Sequence, residues 1–324
     1  MKKIGFEINI MSFMKRIWFV IAFLCVLSAC GKNDDSQTID QPETLGPDLN
    51  KSDITKRIMA GSDVIANFIR DTTIELHDGL SYTKINYTNQ LGLPMQIFIM
   101  EADLKKPELN LQAMSPYNDY LYGFQQISEM CRDNQIEGES IYAGINCDFF
   151  NTSTGQCQSI FYVNGFPIQA TPVVNDRTAL VVYKDKSLHM WSTATDRKID
   201  PSQVQQAVGG GSQWLISYGQ KVKHTDVTIE PRTAIGFTKD QVVYSIVADG
   251  RQVELSNGMS FIQERDILYA LNCYDAINLD GGGSSTMVLR DSSAPRGFKV
   301  QNSPSDGVER AVGNGLAFVV KEEK

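Results

Sequence analysis

A mixed α+β fold, mainly antiparallel β-sheet with a few helices in a single large domain, is what the sequence predicts. Three observations lead there. Strand patterns recur in most apolar segments, helical periodicity is confined to a few, and the two do not alternate regularly as a doubly wound fold would require. The 324 residues, 42% hydrophobic and 21% charged, suffice for a full-sized core.

The elements follow in order. Lys15 and Arg16 precede an apolar run, Ile17 to Leu27, that is too short to span a bilayer and has the layout of a secretory signal. Leu27-Ser28-Ala29-Cys30 resembles a bacterial lipobox, so residues 1–29 are expected to be removed and Cys30 to carry a lipid anchor, periplasmic or surface-facing. Residues 30–52, polar and acidic, read as a flexible tether. Residues 53–79 read as a weakly helical lead-in, with strand character from Thr72, and 80–324 as the functional domain. Within it, strands are expected at Leu80–Thr88, Pro94–Met100, Glu108–Ala113, Ser140–Phe150, Thr178–Tyr183 and Ser187–Trp191. Thr233–Phe237, Gln241–Ala248, Ala276–Leu279 and Gly315–Val320 continue the series, and Gly123–Asp133 looks helical. Ser260 with Gln263 three residues on forms a capping box for a helix reaching about Asn272.

Without residues 1–29 the chain holds 26 basic and 37 acidic residues, a net of −11, with no basic run, which argues against a nucleic-acid partner. Cys131, Cys147, Cys157 and Cys273 stay in the domain; export permits disulfides, three pairings are open, and unpaired buried thiols are as well founded as any bridge. No phosphate loop GxxxxGK[ST], dinucleotide fingerprint, HExxH or GxSxG occurs, and three histidines leave carboxylates as the natural proton handlers.

Polar residues cluster where strands open into loops: Asp148, Arg232, Asp249-Gly250-Arg251, Asp280 and Arg310. Asn146 and Asp148 share one strand face, as do Asn278 and Asp280. The bare run Gly281-Gly282-Gly283 before Ser284, Ser285 and Thr286 suggests close backbone approach, with amides converging on an anion, and arginine's planar fork suits phosphate or carboxylate oxygens. Phe149, Phe150, Trp191 and Trp214 read as core rather than sugar platforms, and His224 as a surface loop residue.

Five ordered motifs carry a resemblance: Asn146-Cys147-Asp148-Phe149-Phe150, Arg232-Thr233-Ala234-Ile235-Gly236, Asp249-Gly250-Arg251, Asn278 to Met287, and Glu309-Arg310-Ala311-Val312. Together, over roughly residues 80–320, they resemble the phosphodiester glycosidase family, in which a mammalian member removes N-acetylglucosamine from mannose 6-phosphate. Cys147 departs from the glycine frequent there. The resemblance implies hydrolysis of a sugar-1-phosphodiester or phosphoglycan with no required cofactor. It also implies Asp280 or Asp148 as base or nucleophile, with Asp249 the third carboxylate. Arg232 and Arg310, with the glycine amides and the Ser284, Ser285 and Thr286 hydroxyls, would hold phosphate. Asp249 with Arg251 would bind sugar hydroxyls or act as an orienting pair, and Asn278 would bind substrate or hold a loop. Two other readings keep the same residues: Asp148, Asp249 and Asp280 holding Mg²⁺ or Ca²⁺ in a phosphodiesterase that breaks P–O, and a surface glycan-binding lipoprotein without catalysis.

Overall fold

Strand-forming sequence dominates from Asn67 onward, and the computed structural model, which describes residues 51–195 and 197–322, folds it into three sheets. The signal, the lipobox Cys30 and nearly all of the tether lie outside the described residues. Ser52 caps α1 (Asp53–Gly61), its side chain accepting from the Thr55 amide. Then come β1 (Asn67–His77), β2 (Leu80–Thr88), β3 (Pro94–Asp103) and β4 (Leu109–Met114). After α2 (Ile127–Asp133) follow β5 (Glu139–Asn146), β6 (Phe161–Val163), β7 (Phe166–Gln169), β8 (Thr178–Tyr183) and β9 (Leu188–Ser192). The chain continues through β10 (Val204–Gly210), β11 (Trp214–Ser217), β12 (Gln220–Lys221), β13 (Arg232–Phe237) and β14 (Val242–Ala248). It ends with α3 (Phe261–Ala270), β15 (Asp275–Asn278), β16 (Met287–Arg290), β17 (Phe298–Val300) and β18 (Gly315–Lys321).

Every strand pairing among the described residues is antiparallel. One sheet runs β1-β2-β3-β14-β13-β15-β11-β12, a second β7-β6-β10-β8-β9, a third β17-β16-β5-β18-β4. The expected fold class therefore holds. The lead-in is corrected: only Asp53–Gly61 is helical, and Asn67–His77 is an edge strand paired with β2, so the folded unit begins before residue 80. Both faces of β1 are largely exposed, which erases the alternation that marks a half-buried strand.

Period two in β3 divides the interior. Met95, Ile97 and Ile99 join Ile54 and Ile58 of α1 and Ile267 and Leu268 of α3 in one core. Phe98, Met100 and Ala102 join Ala143 and Ile145 of β5 and Leu316 and Phe318 of β18 in another. Burial on both faces explains the continuous apolar run of β3. The β15 strand is fixed at its first residue: the Asp275 carboxylate takes two hydrogen bonds from Arg197 at 2.5 and 2.9 Å, and that guanidinium lies over Tyr218 and Trp214. Desolvation of such a pair offsets much of its attraction, so it sets position more than stability. All four domain cysteines are buried free thiols.

Candidate active site

The site forms where β5 and β15 run out beside one another. Their loops are tied by the Asp280 amide, which donates to the Cys147 carbonyl at 2.7 Å, so Asp148 and Asp280 belong to touching segments. Asn146, buried at the end of β5, fastens the junction: its Nδ2 donates to the Asp280 carbonyl at 2.7 Å, and its Oδ1 accepts from Thr233 Oγ1 and the Thr286 amide. One side chain thus joins three segments of chain.

The two carboxyl groups meet different environments. Asp148 is 1% exposed; its amide donates to Asn314 Oδ1 at 2.8 Å, and its Oδ2 accepts from the Ser159 amide at 2.9 Å. Its Oδ1 has no hydrogen-bond partner among the described residues. Burial pushes this carboxyl well above the ordinary range and the Asp280 charge adds to it, against the Ser159 amide and the Arg177 charge. Asp280 is only partly buried; burial pushes it up to about 6, opposed by the Ser284 hydroxyl, the Arg310 charge and the Gly281 amide. Two interacting acids whose surroundings separate their proton affinities are a frequent acid–base arrangement.

The glycine triplet makes room for side chains rather than gathering amides into a nest. The Gly282 amide donates to the Pro231 carbonyl, and the Gly281 amide serves Asp280. A Cβ on Gly281 would stand 2.7 Å from the Pro231 carbonyl oxygen. A Cβ on Gly282, whose φ is 63°, would lie 3.4 Å from the Arg251 guanidinium. A Cβ on Gly283 would fall inside the Arg310–Asp306 ion pair. Two guanidinium groups therefore rest on the bare turn, and Arg310 also donates to Ser284 Oγ at 3.3 Å. Ser285 and Thr286 hydroxyls are buried without partners among the described residues. A Gly283→Ala variant is expected to fold, because it displaces only side-chain ends, those of Arg310 and Asp306. Gly281→Ala, which meets the Pro231 backbone, should instead lower the melting temperature; equal melting temperatures in the two variants would contradict that packing.

Arg232 and Asp249 border this turn, Arg232 with its backbone against Gly281 and Asp249 through Asn302, whose Nδ2 also donates to the Ser285 carbonyl. The Arg232 guanidinium, stacked 3.9 Å from the Phe261 ring centroid, donates to the Met259 and Thr228 carbonyls at 3.0 and 2.9 Å. Asp249, 1% exposed, holds the 302–303 segment: Oδ1 accepts from Asn302 Nδ2 and the Ser303 amide, and Oδ2 from the same amide. Burial pushes it up to about 6. The expected Asp249–Arg251 pair is not formed. Arg251, at φ 60°, turns to bind Glu230 at 2.6 Å. Nor are Asp148, Asp249 and Asp280 gathered into one cation cage: among the described residues no group of three or more His, Cys, Asp or Glu side chains is placed to hold a metal ion.

Asn278 lines a cavity of about 200 Å³ with Phe149, Arg177, Gly211, Ser212, Gln213 and Phe261. Its Nδ2 donates to the Leu279 carbonyl, while its Oδ1 has no partner among the described residues. Phe149 is thus a cavity wall rather than core, with the Arg177 guanidinium 5.8 Å from its ring centroid. His224 lies in the loop after β12, half-buried, with its ring against the Trp214 carbonyl at 2.8 Å. Sequence reasoning missed Arg177, whose loop carries no motif. It also passed over a second triplet, Gly209-Gly210-Gly211, visible in the sequence. A Cβ on Gly209 would collide with Asp148 and Ser159, and one on Gly210 would stand 2.6 Å from the Asn278 carbonyl oxygen.

Residues 139–319 match the sequence profile of the phosphodiester glycosidase family. The mouse (Mus musculus) N-acetylglucosamine-1-phosphodiester alpha-N-acetylglucosaminidase is 24% identical over 181 residues, 49% of this chain and 34% of that protein. An uncharacterized SPbeta prophage-derived protein, YomE of Bacillus subtilis (strain 168), is 39% identical over 105 residues, 31% of this chain and 15% of that protein. The matches thus span 34% and 15% of these two relatives. Among solved structures, the zebrafish catalytic domain of the same glucosaminidase, auto-inhibited by its pro-peptide, superposes with a TM-score of 0.58 at 22% identity, covering 79% of this chain and 89% of that one. A hypothetical protein from Synechocystis gives 0.54 at 13% identity, covering 78% and 64%. Both share the fold.

Proposed function

The chain belongs to the phosphodiester glycosidase family, and from that premise we propose that it hydrolyses a sugar-1-phosphodiester at the anomeric carbon, releasing the sugar and a phosphate monoester. The observation that carries the proposal is the pair Asp148 and Asp280, joined through the Asp280 amide and the Cys147 carbonyl, beside a glycine turn on which Arg251 and Arg310 rest. A phosphate monoester leaves as an anion, its second pKa being about 6, so it needs fixed positive charge more than a proton. Arg310 and Arg251 are suited to that task because a guanidinium matches phosphate oxygens two at a time.

Asp280 is the base or nucleophile in this reading, ionised above about pH 6, and Asp148 is the neutral acid, held protonated by burial and able to donate to an oxygen of the substrate. Asn278 and Arg177, on the wall of the cavity beside them, bind the sugar. N-Acetylglucosamine is the first sugar to test, since the mouse relative bears it in its name. With N-acetylglucosamine-1-phosphomethyl ester and analogues carrying other sugars, the expected products are reducing sugar and methyl phosphate in equal amounts. A panel of such esters yielding no reducing sugar would refute the proposal.

A further inference from the structure

We propose that the alcohol portion of the substrate is a long-chain lipid alcohol, held by an apolar rim that adjoins the phosphate-binding arginines. The inference rests on the phosphodiester glycosidase reading and names the substrate class of that same site. In a sugar-1-phosphodiester the phosphate stands between sugar and alcohol. With the sugar in the cavity beside Asn278 and the phosphate on Arg251 and Arg310, the surface past the two arginines faces the alcohol.

That surface is aliphatic. Val253 stands two residues beyond Arg251, Val308 two residues before Arg310, and Ile229 directly before Glu230, the carboxylate that binds Arg251. With Val227 and Leu255, they are each between 38% and 68% exposed. Aliphatic side chains scattered singly over a surface are ordinary, but these occupy three segments fastened to one another. Glu230 accepts from Arg251 at 2.6 Å, joining residues 224–231 to 250–258. Gln252 donates to the Ser303 carbonyl at 2.7 Å and accepts from the Ser303 hydroxyl at 2.9 Å, joining 250–258 to 303–310. Arg310 closes the third segment on Asp306.

The chemistry of these segments selects the occupant. Arg251 and Arg310 are their only Lys or Arg residues, so they serve one phosphate and leave no cation for a second anionic group. The segments hold no Phe, Tyr or Trp whose ring could stack on a saccharide. Asp226 and Glu254 add negative charge, which opposes docking on an anionic membrane or polymer. A neutral alkyl chain laid over the valines gains the transfer free energy of the apolar surface it covers.

The test compares N-acetylglucosamine-1-phosphate esters of methanol and of 1-octanol, each below the concentration at which it forms micelles. Water should cleave both at the anomeric carbon, giving the sugar with methyl or octyl phosphate. In the parent, KM for the octyl ester should be about tenfold lower than for the methyl ester at equal kcat; burial of about two methylene groups suffices. In Val253→Ser/Val308→Ser the two KM values should converge, with methyl ester kinetics unchanged. Val253→Leu/Val308→Leu should keep the parent KM for the octyl ester. Equal KM values in the parent overturn the rim and leave the glycosidase reading standing. An octyl preference that survives in the serine variant also overturns it. If the parent cleaves neither ester, the glycosidase reading fails and the rim is judged by equilibrium dialysis. Octyl phosphate bound about tenfold more tightly than methyl phosphate, a gap lost in the serine variant, supports it, and equal binding overturns it. A parent dimer that dissociates in the serine variant, without an octyl preference, overturns it in favour of a second copy of the chain.

Discussion

Asp280→Asn is expected to lower kcat/KM roughly 100- to 10,000-fold while leaving the fold intact, the range set by removing a positioned proton-transfer group. The amide has the same shape, so the backbone tie from residue 280 to Cys147 survives. Stability should not suffer. A carboxyl whose folded pKa is about 6, above its ordinary 3.8, favours the fold at low pH, and that contribution is lost as pH rises through 6. The asparagine variant should therefore melt no lower than the parent at pH 7, which separates lost chemistry from misfolding. In the parent, kcat/KM should climb as pH rises through about 6 and Asp280 ionises, then fall when Asp148 releases its proton at higher pH. Asp148→Asn should abolish the alkaline fall and keep the acid limb. An alkaline limb that persists in Asp148→Asn would reverse the assignment.

Glu264→Gln is expected to stabilise the protein by roughly 3 kcal/mol at pH 7, the largest stability effect foreseen for a single conservative change. Glu264, in the first turn of α3, is fully buried, and neither carboxyl oxygen has a partner among the described residues. Burial pushes its pKa up to about 8 from an ordinary 4.5, with the Arg232 charge the only pull in the other direction. The fold therefore binds a proton that the unfolded chain has released between those values. The contribution of Glu264 to stability is fully present below about pH 4.5 and is lost as pH rises from there through 8. Glutamine mimics the protonated acid and removes that loss. Urea unfolding should give equal stabilities for parent and variant at pH 4.5 and a gap that widens toward pH 8. A gap that does not change with pH would show that Glu264 is not held neutral.

The boundaries of β2 and β8 match expectation because each strand lies within a sheet with its packing neighbours on defined faces. The Ser260–Gln263 capping box is also formed as read, since both of its hydrogen bonds are local. Edge strand β1 and the short strands β6, β7, β12 and β17 escaped, being too exposed or too brief to show a period. In β10, Gly209 and Gly210 look like loop, yet they are strand residues kept bare by Asp148 and the Asn278 carbonyl, neighbours distant in sequence.

The site was legible in its carboxylates and glycines and less so in its cations. Asp148, Asp280 and Arg310 come together as the motifs suggest. Arg232 stacks on Phe261, a wall of the cavity, and gives its Nε and Nη2 to the Met259 and Thr228 carbonyls, a set of partners no local pattern announces. The triplet Gly281-Gly282-Gly283 proved to be bare for a reason other than amide convergence: it lets Arg251 and Arg310 lie against the backbone.

Hydrolysis at the anomeric carbon brings the water oxygen to the sugar and lets the phosphate depart with its oxygens intact. Turnover of N-acetylglucosamine-1-phosphomethyl ester in ¹⁸O-water, followed by mass spectrometry of both products, tests it directly. Label in the released sugar and none in methyl phosphate is the predicted result. Label on phosphorus would mean that the P–O bond breaks and would rule out attack at the anomeric carbon.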